Sequence, residues 1–378
     1  MLYPTELPEH ALKIPEGKEY IKLGSLWKNG RRMYTERGMD TRLKQKKLAF
    51  QDGDFLQCEV CHHECRLPLH TAGFCGVRRH VPGENGEGRI VEERYGLPAA
   101  IHLDPIEKKP LYHVAPGSMV YSMGTYGCTM RCRWCQNSEL LFPRKTLGFH
   151  NSKENYVEPE QAANAAKDSG AWGIAFTYNE PTVWIEYARD VAVAAREQGL
   201  KSIWVSNGYF SAKAREFILP WIDAINIDLK AFSPDIHTKY TGVDVYPVLE
   251  TIQEVFRAGI WLEISMLIVP GINDDDAQLK GAAAFLVSLS PDIPVHISAF
   301  YPAHRMLNVP PTPVVTIQRA VKIFRAAGLR YVYPGNVGIR ATTVCPNCGN
   351  ACIERENTKI SGFGGICSQC GNEIPGIW

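Results

Sequence analysis

The stretch from Val120 to Asn137, VYSMGTYGCTMRCRWCQN, joins a short apolar strand to a loop with three cysteines. Cys128, Cys132 and Cys135 are separated by three and then two residues, and no fourth cysteine lies nearby in sequence. A cubane iron–sulfur cluster needs four ligands, so three thiolates leave one iron open for a substrate or a cofactor. A zinc site that takes its fourth ligand from elsewhere in the chain is the alternative. The spacing favours the 4Fe–4S cluster.

The chain on either side of this loop alternates short apolar strands with helices. The pattern predicts strands over 120–123, 173–176, 202–205, 224–227, 261–268, 295–298 and 330–333. It predicts helices over 158–170, 182–198, 247–258 and 316–327. A glycine lies at or just after the C-terminal end of each helix. Strands alternating with helices of this length form a parallel α/β sheet with right-handed crossovers. About six such units close partly or wholly into a barrel, with chemistry at the C-terminal strand ends. Periodicity alone does not distinguish a partial barrel from a full one.

Composition excludes several classes of protein. Of the 378 residues, 45% are apolar and 21% are charged, which is too apolar for a disordered chain. Lys+Arg number 41 and Asp+Glu 40, so the chain as a whole carries no general nucleic-acid-binding field. No apolar run approaches the ~20 residues that span a bilayer, so we expect no membrane association. The first residues lack the pattern of a secretory signal.

Twelve cysteines occur, all in three groups. In a chain without a secretory signal, such closely spaced cysteines indicate metal sites rather than disulfides. We therefore expect a reducing compartment, the cytoplasm. We divide the chain into an N-terminal extension (1–57), a four-cysteine module with its connection (58–116), a barrel (117–340) and a zinc-ribbon-like module (341–378). The basic segment 31–47 is interpreted as a solvated helix face rather than a site for an acidic partner or nucleic acid.

The two flanking cysteine groups differ in how clearly their spacing indicates a particular metal. The C-terminal group has two Cys-x-x-Cys knuckles, Cys345 with Cys348 and Cys367 with Cys370. This pattern is typical of a structural zinc site, and rubredoxin-like iron is the alternative. Cys352 is a fifth thiol beside it. The N-terminal group fits zinc or a second 4Fe–4S cluster equally well: Cys58, Cys61, Cys65 and Cys75. His62, His63 and His70 offer alternative ligands there.

The cysteine loop after the first strand resembles the signature of radical S-adenosylmethionine (SAM) enzymes. The chain further resembles the radical SAM member of the AmmeMemoRadiSam group, related to the pyruvate formate-lyase activating enzyme. Three segments carry this closer resemblance, which covers the chain from about residue 55: 58–65 with 73–78, 102–113 and 367–378. The resemblance implies a partial (β/α)6-type TIM barrel, here with the N-terminal four-cysteine module and the C-terminal zinc ribbon attached.

The resemblance also assigns SAM-binding positions. Cys128, Cys132 and Cys135 would hold the cluster, with the SAM amino and carboxylate groups on the open iron. Glu180 would grip the methionine amino group beside Asn179, although Tyr178 and Asn179 replace the glycines usual in the superfamily. From the residues alone, Glu180 could equally be the N-cap of the helix that Pro181 begins.

The remaining expected SAM contacts lie at the ends of later strands. They are Ser206, Asn207, Asp228, Lys230 and His296. Asp228 and Lys230 could instead be an ion pair at the barrel rim, and His296 a packed, hydrogen-bonded histidine. The shared position at C-terminal strand ends of one barrel favours a common site. His102, Asp104, Lys108 and His113 precede the barrel and receive no role.

The chemistry implied by the resemblance is reductive cleavage of SAM at a 4Fe–4S cluster. The resulting 5′-deoxyadenosyl radical would abstract hydrogen from a protein or a small molecule. A glycyl-radical enzyme activase is one alternative, and an iron–sulfur electron carrier or scaffold is an alternative of another class. A nucleic-acid modifier is a third, and we do not expect it. Expected partners are a reductant such as ferredoxin or flavodoxin, and a protein substrate or a Memo-like protein.

Overall fold

The structure is a computed structural model that describes residues 48–83, 88–141, 156–355 and 363–378. All of these residues belong to one compact unit, Thr41–Trp378. The predicted basic segment 31–47 and most of the N-terminal extension lie outside the described residues. The domain limits drawn from the sequence therefore stay predictions.

In the described ranges 48–83 and 88–99, five short strands precede the central sheet. Three form one small antiparallel sheet: β1 (Ala49–Asp52), β2 (Phe55–Cys58) and β3 (Arg66–Leu67). Two form an antiparallel pair: β4 (Arg78–Pro82) and β5 (Gly88–Glu92). Arg78 is buried and donates two hydrogen bonds to Glu186 on a barrel helix, so an ion pair ties this module to the barrel.

The central sheet has eight strands that pair in chain order. They are β6 (Ala100–Pro105), β7 (Met119–Gly124), β8 (Gly173–Phe176), β9 (Lys201–Ser206), β10 (Ala224–Asp228), β11 (Trp261–Ile268), β12 (Val295–Ala299) and β13 (Val332–Gly335). Strands β7 to β13 are parallel, whereas β6 pairs antiparallel with β7. Within the described residues β6 and β13 are the two sheet edges, so the barrel is partial. Six crossovers join the seven parallel strands, which confirms the predicted fold class.

Seven α-helices in the described part of the chain cover the sheet. They are α1 (Pro159–Asp168), α2 (Ile185–Glu197), α3 (Ala212–Ile218), α4 (Pro234–Thr241), α5 (Tyr246–Arg257), α6 (Asp276–Leu289) and α7 (Val314–Ala326). Local sequence explains their ends: α1 begins with a capping box between Glu158 and Gln161, and α4 ends at the left-handed Gly242. None of the described helices is long and apolar enough to cross a membrane.

The predicted elements are present, and several others had not been predicted. All seven predicted strands are confirmed, with the last beginning at Val332 rather than Arg330. The four predicted helices correspond to α1, α2, α5 and α7, with a 3-10 turn over Pro181–Trp184 before α2. Helices α3, α4 and α6 and strand β6 were missed. Strand β6 is half exposed and does not alternate cleanly, which removed its periodicity signal.

The C-terminal module packs beneath the N-terminal ends of the barrel strands, on what we call the barrel floor. Its hairpin consists of β14 (Thr342–Val344) and β15 (Ala351–Glu354). Tyr331 and Tyr333 of the barrel share an apolar cluster with Cys345 and Cys367 of the module. The backbone of His113 accepts a hydrogen bond from Ile377, so the last residues pair with the segment that leads into β7.

Candidate functional site

A cavity of about 770 Å³ opens at the C-terminal ends of the parallel strands. Nearly all of the SAM-binding positions expected from the sequence line it: Cys128, Cys132, Cys135, Asn179, Glu180, Ser206, Asn207, Asp228 and Lys230. The predicted convergence of these side chains at one end of the barrel is therefore present in the structure. His296 alone of that set does not line the cavity.

The cysteine loop follows β7 and is held by close backbone contacts. Gly127 has a φ of +93°, and a Cβ there would lie 2.7 Å from the Cys75 carbonyl oxygen, so this position requires glycine. Asn179 accepts a hydrogen bond from the Thr125 N–H at 3.0 Å and donates to the Gly127 carbonyl at 2.8 Å. Asn179 thus positions the loop from the next strand end.

The three loop thiols suit a cluster rather than a single small ion. Burial raises the pKa of Cys128 well above its usual range and that of Cys132 to about 11. Such thiols are protonated at neutral pH unless a metal takes the place of the proton. The three sulfurs do not all lie within 4.8 Å of one another, as the thiols of a tetrahedral zinc site would. The donor set, open on one side to the cavity, fits a 4Fe–4S cluster with one exposed iron.

Glu180 is buried, and its carboxylate is already well hydrogen-bonded. It caps the turn that Pro181 begins by accepting from the Thr182 N–H, which confirms the N-cap interpretation. It also accepts from Ser206 Oγ and from the Asn207 N–H, both at 2.8 Å. Burial raises the pKa of Glu180 while these donors oppose the rise. The carboxylate therefore fixes the ends of two strands, and a contact with SAM stays a prediction.

Asn207 links the end of β9 to the cysteine loop. Its Nδ2 lies 2.9 Å from Thr129 Oγ1 and 3.6 Å from Cys128 Sγ. Hydrogen bonds to a cluster-ligating sulfur are one of the means by which a protein sets a cluster potential. The structure thus places Asn207 against the first cysteine, a contact that the sequence pattern had not predicted.

Asp228 and Lys230 form an ion pair at the cavity wall, with 2.8 Å between Lys230 Nζ and Asp228 Oδ2. Burial opposes the charged form of Lys230, but Asp228 and the nearby thiols outweigh it and raise the pKa of the lysine. The ion-pair interpretation is therefore confirmed. A positive charge facing cluster thiolates also favours a reduced, more negative cluster.

His296 lies one layer below the cavity. Its Nε2 is 2.6 Å from Glu263 Oε2, and its ring packs edge-on against Tyr112. Glu263 is fully buried and also accepts hydrogen bonds from the Tyr112 and His113 N–H groups. This placement does not support the predicted SAM contact, because Glu263 occupies the Nε2 atom. The alternative of a packed, hydrogen-bonded histidine describes the position.

Sequence reasoning missed a polar wall on the β6 side of the cavity. Tyr178, which has a φ of +72°, donates a hydrogen bond to Asp104 at 2.6 Å. Lys109 Nζ lies 2.8 Å from the same carboxylate oxygen, and His102 packs edge-on against the Tyr178 ring. The segment 102–113 carries part of the family resemblance, but only the unpredicted antiparallel strand β6 brings it beside the site.

Four of the C-terminal cysteines form a compact group that could hold a metal ion. Cys345, Cys348, Cys367 and Cys370 have sulfurs all within 4.8 Å of one another. The Cys345–Cys370 and Cys348–Cys367 sulfur distances are both 3.6 Å. A tetrahedral ion with ~2.3 Å metal–sulfur bonds separates its sulfurs by about 3.8 Å, so the set fits one metal ion. Cys352 lies outside this group of four.

A partial parallel barrel with a three-cysteine loop after its first parallel strand is an arrangement that suits binding of an iron–sulfur cluster through three thiolates. The sequence profile of the radical SAM superfamily matches residues 123–280. The chain is 36% identical over 332 residues to an uncharacterized protein of Methanocaldococcus jannaschii, covering 85% of this chain and 96% of that one. The chain belongs to the radical SAM superfamily, whose members use a 4Fe–4S cluster and SAM.

More distant relatives carry functional names. One is the (2S)-3-sulfopropanediol dehydratase activating enzyme of Klebsiella oxytoca, 25% identical over 43% of this chain and 70% of that protein. Another is the pyruvate formate-lyase-activating enzyme of Streptococcus mutans, 22% identical over 43% of this chain and 64% of that protein. The resemblance to this class of enzyme is therefore confirmed. Membership of the AmmeMemoRadiSam group stays a prediction.

Proposed function

We propose that this protein cleaves SAM reductively and abstracts a hydrogen atom from a protein or small-molecule substrate. The observation that carries the proposal is the three-cysteine loop that lines the cavity, with all three of its cysteines beside the expected SAM-binding positions. When bound, the cluster and SAM supply the electron transfer and the 5′-deoxyadenosyl radical. The chain supplies the binding, the orientation and the exclusion of water.

Named residues divide this work. Cys128, Cys132 and Cys135 hold the cluster. Asn179 and Asn207 fix the loop that carries these cysteines, through the hydrogen bonds to Gly127 and Thr129. Glu180, Ser206, Asp228 and Lys230 form the polar wall that meets the SAM amino, carboxylate and ribose groups. Tyr178, Asp104 and Lys109 line the same cavity and are available to contact the substrate.

The test is SAM cleavage by protein reconstituted under anaerobic conditions with a strong one-electron reductant. We expect 5′-deoxyadenosine and methionine from the wild type and none from Cys132→Ala. The matched control is Cys352→Ala, which removes a thiol outside all of the proposed metal sites and should leave product formation unchanged. An intact, reducible cluster that gives neither product would refute the proposal and favour an iron–sulfur electron carrier.

A glycyl-radical activase is a second candidate, favoured by the similarity to the activating enzymes of Klebsiella oxytoca and Streptococcus mutans. The substrate would then be a glycine Cα–H of a partner protein. Cells grown on α-deuterated glycine provide an extract that can be separated by size. Deuterium that enters 5′-deoxyadenosine only with the macromolecular fraction supports the activase. Transfer from the small-molecule fraction assigns a small substrate instead.

The proposal also covers the metal of the C-terminal site, the compartment and the partner protein. We assign zinc to the C-terminal site, whose sulfur distances suit that ion. We place the protein in the cytoplasm, where reduced thiols and a ferredoxin or flavodoxin reductant are available. A Memo-like protein is the proposed partner. Metal analysis of the purified protein tests the first assignment, and zinc in about one copy per chain is expected.

A further inference from the structure

The cysteines of the N-terminal module form a group that the proposed function does not use. They are all free thiols, with Cys58, Cys61 and Cys75 buried and Cys65 partly exposed. Backbone contacts bring them together: the Cys58 N–H donates to the Cys65 carbonyl at 2.9 Å, and the Phe74 N–H donates to Cys65 Sγ at 3.4 Å. Cys61 in turn interacts electrostatically with Cys58, Cys65 and Cys75, and four reduced cysteines this close together indicate a metal site rather than disulfides.

The distances between these sulfur atoms distinguish a zinc ion from a 4Fe–4S cluster, the two alternatives that the sequence left open. The ribbon thiols all lie within 4.8 Å of one another, as a single zinc ion requires. No three of the N-terminal thiols, all of which the structure describes, meet that limit, and neither do the three loop thiols. A four-iron cluster binds each thiolate at a different iron and so holds the sulfurs farther apart. The N-terminal group resembles the loop thiols in this respect rather than the ribbon.

The nearest histidines do not complete a zinc site. His63 directs its Nε2 to the Thr129 carbonyl oxygen at 2.8 Å, so that atom faces the cysteine loop. Among the described residues, no three imidazole nitrogens and thiol sulfurs of this module lie within 4.8 Å of one another. The histidines therefore do not build a single-ion site with these cysteines, and the four thiols remain as the candidate ligands.

The module also packs directly on the loop that holds the SAM-binding cluster. The Cys75 carbonyl lies against Gly127, the residue immediately before Cys128. Arg131 donates to the Phe74 carbonyl on one side and to the Cys128 carbonyl on the other, and its guanidinium stacks on the Phe74 ring at 4.0 Å. The two cysteine groups are therefore linked by the contact between Cys75 and Gly127 and by the side chain of Arg131.

We propose that Cys58, Cys61, Cys65 and Cys75 hold a second 4Fe–4S cluster that relays electrons to the cluster at the cysteine loop. The second cluster takes one electron from a low-potential donor such as reduced flavodoxin. It then gives that electron to the loop cluster, so one cluster is oxidised as the other is reduced. The relay, though not the metal assignment, rests on the proposed function.

The metal assignment is tested on protein purified anaerobically without reconstitution. Replacing Cys128, Cys132 and Cys135 together with alanine removes the loop cluster and isolates the N-terminal site. We expect roughly four iron atoms and one zinc per chain in this variant, with a reduced-cluster EPR signal that SAM does not alter. About two zinc ions with no iron would overturn the assignment. If the variant does not fold, Mössbauer spectra of the wild type decide, with roughly eight iron atoms expected against four.

The relay is tested by the amount of 5′-deoxyadenosine that pre-reduced protein forms after the reductant has been removed. The wild type and Cys65→Ser are fully reduced, freed of reductant and mixed with SAM. Each cleavage uses one electron, so we expect up to about two 5′-deoxyadenosine per chain from the wild type and one from Cys65→Ser. Equal bursts would refute the relay. A wild type that gives no product refutes the proposed function but leaves the iron content of the N-terminal site as a separate result.

Discussion

His113 provides a test of how the ribbon is joined to the barrel floor. Its ring is fully buried between the Pro375 carbonyl, 2.7 Å from Nδ1, and the Tyr333 hydroxyl, 2.6 Å from Nε2. Burial lowers the pKa of His113 from 6.5 to about 4. The folded protein therefore keeps the ring neutral over a range in which the unfolded chain binds a proton. Stability is complete above pH 6.5 and falls as the pH drops towards 4.

The size of the effect follows from the two pKa values. Their difference corresponds to about 3.4 kcal/mol once the pH is below both, and to about 1.8 kcal/mol between pH 7 and pH 5. For a unit of residues 41–378, an unfolding entropy of ~2.1 cal/mol/K per residue converts this to about 2.5 °C in Tm.

The assay compares the Tm of the wild type and His113→Gln from pH 7 to pH 5 under anaerobic conditions. Glutamine keeps one donor and one acceptor but does not titrate. The other acid-sensitive groups, including the metal ligands, are common to both proteins and cancel in the difference. We expect the wild type to lose about 2.5 °C more than the variant over this range. Parallel curves would show that His113 is not held neutral, and would refute the argument.

Three further predictions test other parts of the structure. Arg78→Met leaves Glu186 without its buried partner and should lower the free energy of unfolding by about 3 kcal/mol in denaturant titrations; a loss below about 1 kcal/mol would mean that the pair is solvated. Asn179→Ala removes both side-chain hydrogen bonds to the cysteine loop, so the variant should lose loop-cluster iron faster than the wild type during exposure to a chelator; equal loss rates would contradict a positioning role. Cys348→Ser should release the ribbon metal whereas Cys352→Ser should retain it, as measured by zinc content; retention in both would show that Cys352 can replace a ligand.

The sequence predicted what depends on local pattern. Glycines and prolines at helix ends fixed the alternation of strands and helices, and the cysteine spacing located the cluster loop. The level at which a strand residue lies along the barrel axis was harder to predict. His296 and Ser298 point to the same face of β12 because strand side chains alternate, yet only Ser298 reaches the cavity. Which of the two reaches it depends on the height of the strand relative to the rim, which no local pattern records.

The polar wall at Asp104 was missed for a related reason. The side chains of Asp104, Lys109 and Tyr178 meet only because β6 pairs antiparallel with β7 and Tyr178 adopts a left-handed conformation. Neither the partner of an edge strand nor a strained backbone angle in a non-glycine residue has a reliable signal in a single sequence. The wall could therefore be found only once the tertiary structure was known.

The junction at the barrel floor also has a consequence for the order of folding. His113 meets Pro375, which follows it by 262 residues, so this contact closes a very long loop. Contacts between such distant segments form late, because the chain entropy must be lost before the contact is gained. Metal binding drives the folding of small cysteine modules, so the supply of the metal proposed for the C-terminal site would determine when this junction forms. In chains made without that metal, we expect proteases to cut first at the C-terminal module, because its contacts with the barrel floor have not formed.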